Sequence, residues 1–270
     1  MTQIIIITDL DGTLLHPRTY SFDEASPALE LIGTRSIPLI LCSSKTTAEI
    51  EVYRKRLKNK DPFISENGGG IFIPEGYFGF PVEGKLMKGY RVITLGKPYG
   101  EIRRVFKEIQ TGTGIKAKGF GDMDLMEVAH LTGLQLSDAE LAKQRDFDEP
   151  FIFEKGEKGA EKFLCAIEEA GRHWTQGRFY HVLGDHDKGK AVGILKGYYE
   201  RAHGDVKTIG LGDSFNDLPL LQSVDHPVLI RKEDGSYEER IKLPGLIRAE
   251  GIGPAGWNEA VMALIQGISR

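Results

Sequence analysis

Several features that would indicate a secreted or membrane protein are missing from this sequence of 270 residues. It has only two cysteines, Cys42 and Cys165, and both lie in apolar surroundings, which predicts reduced core residues and no disulfide framework. The longest apolar runs, Ile4–Ile7 and Ile37–Cys42, are far shorter than the roughly 20 residues that span a bilayer. No basic segment precedes the first of these runs, so no secretory signal is expected. The sequence therefore predicts a cytoplasmic protein that does not bind membranes.

An excess of basic residues is also absent. The chain has 35 Lys and Arg against 39 Asp and Glu, which gives a net charge of −4. Nucleic-acid-binding surfaces usually carry a basic excess, so no nucleic-acid partner is expected. Apolar residues make up 40% and charged residues 27%, a balance typical of folded globular proteins. We expect a monomer or small homo-oligomer that acts on a small molecule.

The first 80 residues alternate between predicted strands and helices. The β-branched run Ile4–Thr8 is typical of a strand that is buried on both faces of a parallel sheet. Thr46 and Glu49 have the spacing of a capping box and predict the start of a helix. Further predicted elements are strands at Ile37–Cys42 and Phe63–Ser65 and a helix at residues 27–34. This order predicts an α/β fold with a doubly wound parallel sheet.

A different pattern occupies residues 84–187. Predicted strands at Tyr90–Leu95, Phe151–Phe153 and Arg178–Leu183 are separated by helical segments, and two of those segments follow each other directly. Ser137 and Glu140 have the spacing of a second capping box. Because the first pattern returns after residue 188, we expect a core of residues 1–83 and 188–270 that is interrupted by an α+β unit of residues 84–187. Plausible hinges are Pro81–Lys88 and Gly184–Asp187.

Two acidic clusters follow predicted strands. Asp9 and Asp11 come directly after the first strand, and Asp213 and Asp217 follow the strand that ends at Leu211. Each cluster alone could serve to end a strand or cap a helix. The carboxyl ends of parallel strands meet at one edge of the sheet, however, and open α/β sheets bind ligands there. Carboxylates gathered without a neighbouring arginine require a cation, so the sequence predicts a Mg²⁺ site.

Four short motifs resemble, in order and spacing, those of the haloacid dehalogenase superfamily of phosphatases. They are Asp9-Leu10-Asp11-Gly12-Thr13, Ser43, Lys188 and Gly212-Asp213-x-x-Asn216-Asp217. The resemblance implies a Rossmann-like core with an inserted α+β cap of the Cof (C2B) type. Further segments resemble the mannosyl-3-phosphoglycerate phosphatases. These are Ser43-Ser44-Lys45-Thr46, Glu66-Asn67-Gly68-Gly69-Gly70, Arg145-x-Phe147-Asp148-Glu149-Pro150 and Asp187-Lys188-Gly189-Lys190-Ala191-Val192.

The resemblance also implies roles for the acidic residues. Asp9 is the expected nucleophile, which would form an aspartyl phosphate, and Asp11 the expected general acid and later base. Asp9, the backbone carbonyl of Asp11, and Asp213 would hold Mg²⁺. Lys188 is expected to contact the phosphate and Asp9, with Asp217 orienting it. Direct attack by water on the phosphorus stays open as an alternative.

A second group of residues is expected to bind the substrate. Ser43 would bind a phosphate oxygen, although a helix cap is the alternative role for it. Arg145 would bind a carboxylate such as that of glycerate through its planar fork, unless it is an ordinary arginine at a helix end. The full predicted set is Ser43, Lys45, Glu66, Asn67, Gly68, Gly69, Arg145 and Asn216.

The activity that the resemblance implies is the Mg²⁺-dependent hydrolysis of mannosyl-3-phosphoglycerate to mannosylglycerate, a compatible solute, and phosphate. Glucosyl-3-phosphoglycerate, a hexose phosphate, a phosphomutase reaction and a non-catalytic sensor stay open as alternatives. His181 and His186 are the only closely spaced pair among the seven histidines, which is too weak a signal to predict zinc.

Overall fold

Two β-sheets organise residues 2–268, the part of the chain that the computed structural model describes. The strands are β1 (Gln3–Thr8), β2 (Leu39–Cys42), β3 (Phe63–Ser65), β4 (Gly70–Pro74), β5 (Lys85–Met87), β6 (Tyr90–Thr94), β7 (Ala117–Gly119), β8 (Asp148–Glu157), β9 (His173–Gln176), β10 (Tyr180–Leu183), β11 (Val206–Gly212), β12 (His226–Arg231) and β13 (Ile247–Ile252). The helices are α1 (Ser26–Thr34), α2 (Thr47–Leu57), α3 (Tyr99–Thr113), α4 (Leu125–Thr132), α5 (Leu136–Ala142), α6 (Ala160–Glu169), α7 (Lys188–His203), α8 (Leu218–Gln222) and α9 (Gly253–Ile268).

The larger sheet has nine strands in the order β13-β12-β11-β1-β2-β3-β4-β6-β5. Its strands from β13 to β3 pair in parallel, and β4, β6 and β5 extend it with antiparallel pairs. Side chains alternate along β1, so that Ile4 and Ile6 pack towards α1 and α9, whereas Ile5 and Ile7 pack towards α7 and α8. Helices therefore cover both faces, and the predicted doubly wound α/β core is confirmed.

The smaller sheet has four antiparallel strands in the order β7-β8-β10-β9. Phe151 of β8 packs with Phe106 of α3 and Phe163 of α6 on one face. Its neighbour Ile152 packs against the small core beneath α4 and α5 on the opposite face. We call residues 99–183, which carry this sheet and its helices, the cap.

The first chain crossing between the two sheets differs from the expected boundary at residue 84. Strands β5 and β6 belong to the larger sheet, because Gly70–Pro74 pairs with Tyr90–Thr94 along its whole length. The crossing therefore falls between Thr94 and Tyr99, not in Pro81–Lys88. The return crossing lies between β10 and α7, at the expected Gly184–Asp187.

The predictions for the two capping boxes and the two cysteines are confirmed in part. The capping box of Thr46 and Glu49 is present in full at the start of α2, so that prediction is confirmed. The second box is wrong, because α5 already begins at Leu136 and Ser137 lies inside its first turn. Cys42 is buried as expected, but Cys165 is exposed on α6, because it faces away from the cap core. None of the helices within residues 2–268 has the length and apolar character that crossing a membrane requires.

Candidate active site

Three aspartates from two neighbouring strands meet at one edge of the larger sheet. Asp9 follows β1, and Asp213 and Asp217 follow β11, which pairs with β1 in parallel. One carboxylate oxygen from each lies within 4.8 Å of the others, and all three residues are buried. The parallel pairing thus brings together residues that are more than two hundred positions apart in sequence.

Lys188 lies between two of these carboxylates. Its Nζ is 2.6 Å from Asp9 Oδ1 and 2.6 Å from Asp217 Oδ1, and its side chain is completely buried at the start of α7. Burial alone would lower the pKa of Lys188, but Asp217 and Asp9 raise it above its usual value. The ammonium group is therefore held in its charged form between the two carboxylates.

The charges of this cluster leave room for a divalent cation. Three carboxylates face one ammonium group, and burial raises the pKa of Asp9 well above its usual value and that of Asp213 to about 7. Asp217 is occupied by Lys188 and by the N–H groups of Asp213 and Ser214, each 3.0 Å from Oδ2. Asp9 and Asp213 are the hard oxygen donors that suit Mg²⁺, so the residues present fit that ion.

Gly12 allows the first acidic loop to approach Asp213 closely. A Cβ atom at position 12 would lie 2.8 Å from Asp213 Oδ2, and the residue has a φ of +79°. Both facts require glycine at this turn. The motif around Asp9 therefore depends on its glycine to hold the two acidic loops together.

Asp11 faces a buried lysine in this structure. Its Oδ2 is 2.8 Å from Lys45 Nζ, and Oδ1 is buried without a hydrogen-bond partner among the described residues. Lys45 also lies 3.5 Å from Glu49 and 5.1 Å from the centre of the Tyr20 ring. Burial would lower the pKa of Lys45, but Asp11 and Glu49 raise it. Asp11, the predicted general acid, is therefore part of an ion pair in this structure.

A cavity of about 340 Å³ lies between the acidic cluster and the cap. Asp9, Asp11 and Asp213 line it on the side of the larger sheet. The other polar groups that matter here are Lys45, Arg145, Arg178, His181, Asn216 and Lys232. The predicted residues Lys45, Arg145 and Asn216 are thus brought to one cavity with the acidic cluster.

Other predicted substrate-binding residues lie outside the lining of that cavity. Ser43 is buried at the end of β2, and its Oγ accepts a hydrogen bond from the N–H of Lys45 at 3.3 Å. Glu66, Asn67, Gly68 and Gly69 are buried in the loop between β3 and β4. This geometry does not bring those four residues into contact with a molecule in the cavity.

The loop of Glu66–Gly70 instead joins the larger sheet to the cap. The Glu66 carboxylate accepts hydrogen bonds from three successive backbone N–H groups, those of Asp146, Phe147 and Asp148, at 2.8–3.1 Å. A Cβ atom on Gly69 would lie only 2.5 Å from that of Phe147. The loop therefore needs an acid and small residues because a cap segment lies directly on it.

Arg145 belongs to the same junction. Its guanidinium forms a buried ion pair with Asp148, lies 3.4 Å from Glu66 Oε2 and donates to the carbonyl of Ser44 at 2.9 Å. Burial would raise the pKa of Asp148, but Arg145 and His181 hold it below its usual range. Most of the guanidinium N–H groups that were expected to bind a substrate carboxylate therefore contact Asp148, Glu66 and Ser44 instead.

The sequence provided no signal for several residues at the cavity. The Tyr20 hydroxyl donates to the carbonyl of Thr132 at 2.9 Å, and Arg178 donates to the same carbonyl at 2.7 Å. Lys232 follows β12, and the sequence marks His181 only through its spacing from His186. Tyr20, Lys232 and the pair Arg178 and His181 come from three distant segments, so only the fold brings them together.

Comparison with known proteins agrees with this architecture. The family model of haloacid dehalogenase-like hydrolases matches residues 6–77. The chain is 49% identical to the glucosyl-3-phosphoglycerate/mannosyl-3-phosphoglycerate phosphatase of Methanococcoides burtonii, over 97% of both chains. This chain belongs to the haloacid dehalogenase-like hydrolases. The family membership inferred from the four motifs is therefore confirmed.

Further relatives of this hydrolase extend over most of its length. It is 46% identical to the Persephonella marina protein of the same name over 99% of both chains. It is 40% identical to the mannosyl-3-phosphoglycerate phosphatase of Pyrococcus horikoshii, over 84% of this chain and 90% of that one. A subclass IIB sugar phosphatase of the same superfamily shares the fold, with a TM-score of 0.66, 15% identity and coverage of 98% and 99% of the two chains.

Proposed function

We propose that this hydrolase is a Mg²⁺-dependent phosphatase of glycosyl-3-phosphoglycerates. It would hydrolyse the phosphomonoester of mannosyl-3-phosphoglycerate and glucosyl-3-phosphoglycerate to the glycosylglycerate and phosphate. The observation that carries this proposal is the buried contact between Asp9 and Lys188 beside Asp213, at a cavity that the cap closes. The names of the relatives at 49% and 46% identity support the substrate class.

The contacts of Asp9 suit a nucleophile. Lys188 donates to Oδ1 at 2.6 Å, which orients the carboxylate and leaves Oδ2 to attack phosphorus. As the new bond forms, the bond from phosphorus to the leaving oxygen breaks, and water then hydrolyses the aspartyl phosphate. Lys188 balances negative charge throughout, and Asp217 keeps it in position.

Asp9 and Asp213 would hold Mg²⁺, with the backbone carbonyl of Asp11 as a further ligand. When bound, the ion would neutralise charge on the phosphate oxygens and orient the phosphate towards Asp9.

Release of Asp11 from its ion pair with Lys45 would free it for proton transfer. A bound phosphate and the Asp11 carboxylate would compete for the same ammonium group, because both are anions. Substrate binding would then release Asp11 from the ion pair. The freed carboxylate would take up a proton from solvent water, turn towards the leaving oxygen and give it this proton. In the second step Asp11 would accept a proton from the attacking water.

The cavity suits a leaving group that is larger than a simple alcohol. Its volume of about 340 Å³ falls in the range of small-molecule sites, and its lining includes the cationic groups of Lys45, Arg178 and Lys232 beside the acidic side chains. A glycosyl-3-phosphoglycerate carries both a phosphate and a carboxylate, which these cationic groups can bind. A substrate of this kind would also fill the space under the cap and exclude water.

Phosphate release from a panel of phosphomonoesters tests the proposal. The panel contains mannosyl-3-phosphoglycerate, glucosyl-3-phosphoglycerate, 3-phosphoglycerate and hexose phosphates, each with Mg²⁺ and with EDTA. We expect the two glycosyl compounds to have the highest kcat/KM, with activity lost in EDTA and restored by Mg²⁺. A higher kcat/KM for a hexose phosphate, or phosphoryl transfer between sugars without phosphate release, would contradict it.

Rapid acid quenching distinguishes the two routes of phosphoryl transfer. With substrate labelled at phosphorus, the covalent route leaves label on the chain of the wild-type enzyme and none on Asp9→Asn. Direct attack by water leaves no label on either protein.

A further inference from the structure

One buried histidine of the cap has only one of its ring nitrogens engaged. His181 lies on β10, is 4% exposed and lines the cavity. Its Nδ1 is 3.1 Å from Asp148 Oδ2, whereas Nε2 has no hydrogen-bond partner within residues 2–268. A polar atom of a buried side chain that borders a cavity and lacks a partner among the described residues is suited to contact a ligand there.

The surroundings of Asp148 determine which nitrogen carries the proton. Asp148 is an ionised carboxylate, because Arg145 forms an ion pair with it and Asn67 donates to Oδ2 at 2.8 Å. A carboxylate only accepts hydrogen bonds, so Nδ1 of His181 must be the donor. Nδ1 is therefore engaged with Asp148, and Nε2 is the ring nitrogen that is left to bind a ligand in the cavity.

The charges behind the ring limit the kind of substrate group that can bind to Nε2. Two buried carboxylates, those of Asp148 and Glu66, already face the guanidinium of Arg145, so a further anion is disfavoured here, whereas an uncharged sugar hydroxyl can form a hydrogen bond with the ring. The phosphate lies by necessity near Asp9 in the larger sheet, so a cap residue faces the leaving group. We infer that His181 is a specificity-determining residue whose Nε2 forms a hydrogen bond with a hydroxyl of the substrate's glycosyl group; this rests on the proposed function.

A network of buried side chains fixes the orientation of the ring. Asn67 donates to Asp148 and accepts a hydrogen bond from Asn216 Nδ2 at 3.1 Å. Asn216 lies in the loop that carries Asp213 and Asp217, so His181 is tied to the loop of the acidic cluster through two side chains. A preorganised hydrogen-bonding group discriminates better between ligands than a mobile one, because less ordering is needed on binding.

Two substitutions separate ligand contact from structural support. His181→Asn keeps an amide donor where Nδ1 contacts Asp148 but removes the polar atom at the cavity. His181→Gln extends a polar atom to the place of Nε2 but loses the donor to Asp148. His130→Asn, at an exposed histidine of α4, is the matched control. The substrates are mannosyl-3-phosphoglycerate, 3-phosphoglycerate, which has the carboxylate without the sugar, and para-nitrophenyl phosphate, which has neither.

We expect His181→Asn to lower kcat/KM for mannosyl-3-phosphoglycerate by about 2- to 13-fold, the loss of one typical hydrogen bond. The effect should be mainly in KM, and the two other substrates should be unaffected. His181→Gln should retain part of the preference, and His130→Asn all of it. Thermal unfolding by circular dichroism verifies that each variant is folded.

Other patterns would overturn the inference. An unchanged preference in His181→Asn means that Nε2 does not contact the sugar, and an equal loss for 3-phosphoglycerate means that it contacts the carboxylate. An equal loss for all three substrates, greater in His181→Gln, means that the ring only supports Asp148. A wild-type enzyme with no preference for the glycosyl substrate would refute the proposed function, and this inference with it.

Discussion

Replacing Arg145 by alanine is expected to destabilise the protein before it affects substrate recognition. The guanidinium is buried and is the cation that faces both Asp148 and Glu66. Removing one partner of a buried ion pair leaves an uncompensated charge, which costs about 3–5 kcal/mol of the free energy of unfolding. At about 2–4 °C per kcal/mol for a chain of this size, the melting temperature should fall by about 6–20 °C.

The assay combines unfolding with kinetics. Urea unfolding followed by circular dichroism measures the loss, and kcat/KM is measured well below the melting temperature of the variant. The double variant Arg145→Met/Asp148→Asn removes both charges and should regain part of the lost stability. It also separates the missing charge balance from the missing side-chain volume.

A different result would restore the role predicted from the sequence. If Arg145→Ala unfolds like the wild type and loses only glycosyl-3-phosphoglycerate activity, by about 10- to 150-fold, the guanidinium binds the substrate carboxylate. Activity towards para-nitrophenyl phosphate, which has no carboxylate, is the control. That outcome would mean that the buried ion pairs of Arg145 contribute nothing measurable to stability.

Four further changes have distinct expected outcomes. Asp9→Asn should fold normally by circular dichroism but lose at least about a thousandfold of phosphate release, and activity within about tenfold of wild type would remove Asp9 from the mechanism. Thr46→Ala removes a helix cap and should cost about 1 kcal/mol in urea unfolding, with no loss showing that the capping box is dispensable. The pKa of Asp148 is depressed in the folded state, so the ionised carboxylate stabilises the protein above about pH 4, and this contribution is lost as the pH falls further. The difference in free energy of unfolding between the wild type and Asp148→Asn should therefore become smaller below about pH 4. Gly68→Ala should lower kcat for every substrate, because its Cβ would lie 2.1 Å from the carbonyl of Asp187, next to Lys188; a normal kcat in a folded variant would contradict this.

The acidic cluster could be predicted from sequence because simple rules govern it. Continuous β-branched runs identify the buried parallel strands, and such strands end at the same edge of a sheet. Asp9 and Asp213 follow two such runs directly, so their proximity needs no knowledge of the rest of the chain. Thr46 and Glu49 are equally local, since a capping box depends on three residues of backbone.

The position of β5 and β6 could not be predicted in the same way. Short strands such as Lys85–Met87 and Tyr90–Thr94 can join either sheet, because their own composition does not identify a partner. The pairing of β6 with β4, Gly70–Pro74, places both strands in the larger sheet. Such a pairing depends on two segments at once and cannot be read from either one alone. The cavity is similar: Tyr20 and Arg178 meet at the carbonyl of Thr132 only after the cap has docked.

The loop of Glu66–Gly70 resembles a substrate-binding motif, but in this structure it contacts the cap and the crossing that precedes Lys188. These contacts give the loop a way to affect the site without binding the substrate. One end of this loop follows β3, and its backbone and side chains contact the cap at Phe147 and the return crossing at Asp187. Asp187 caps α7 and immediately precedes Lys188, which contacts Asp9. A change in the loop is therefore expected to shift both the cap and the ammonium group of Lys188 beside Asp9. A glycine-rich loop with one buried acid meets both demands, because the glycines permit close approach and the acid binds the backbone of the cap segment that lies upon it.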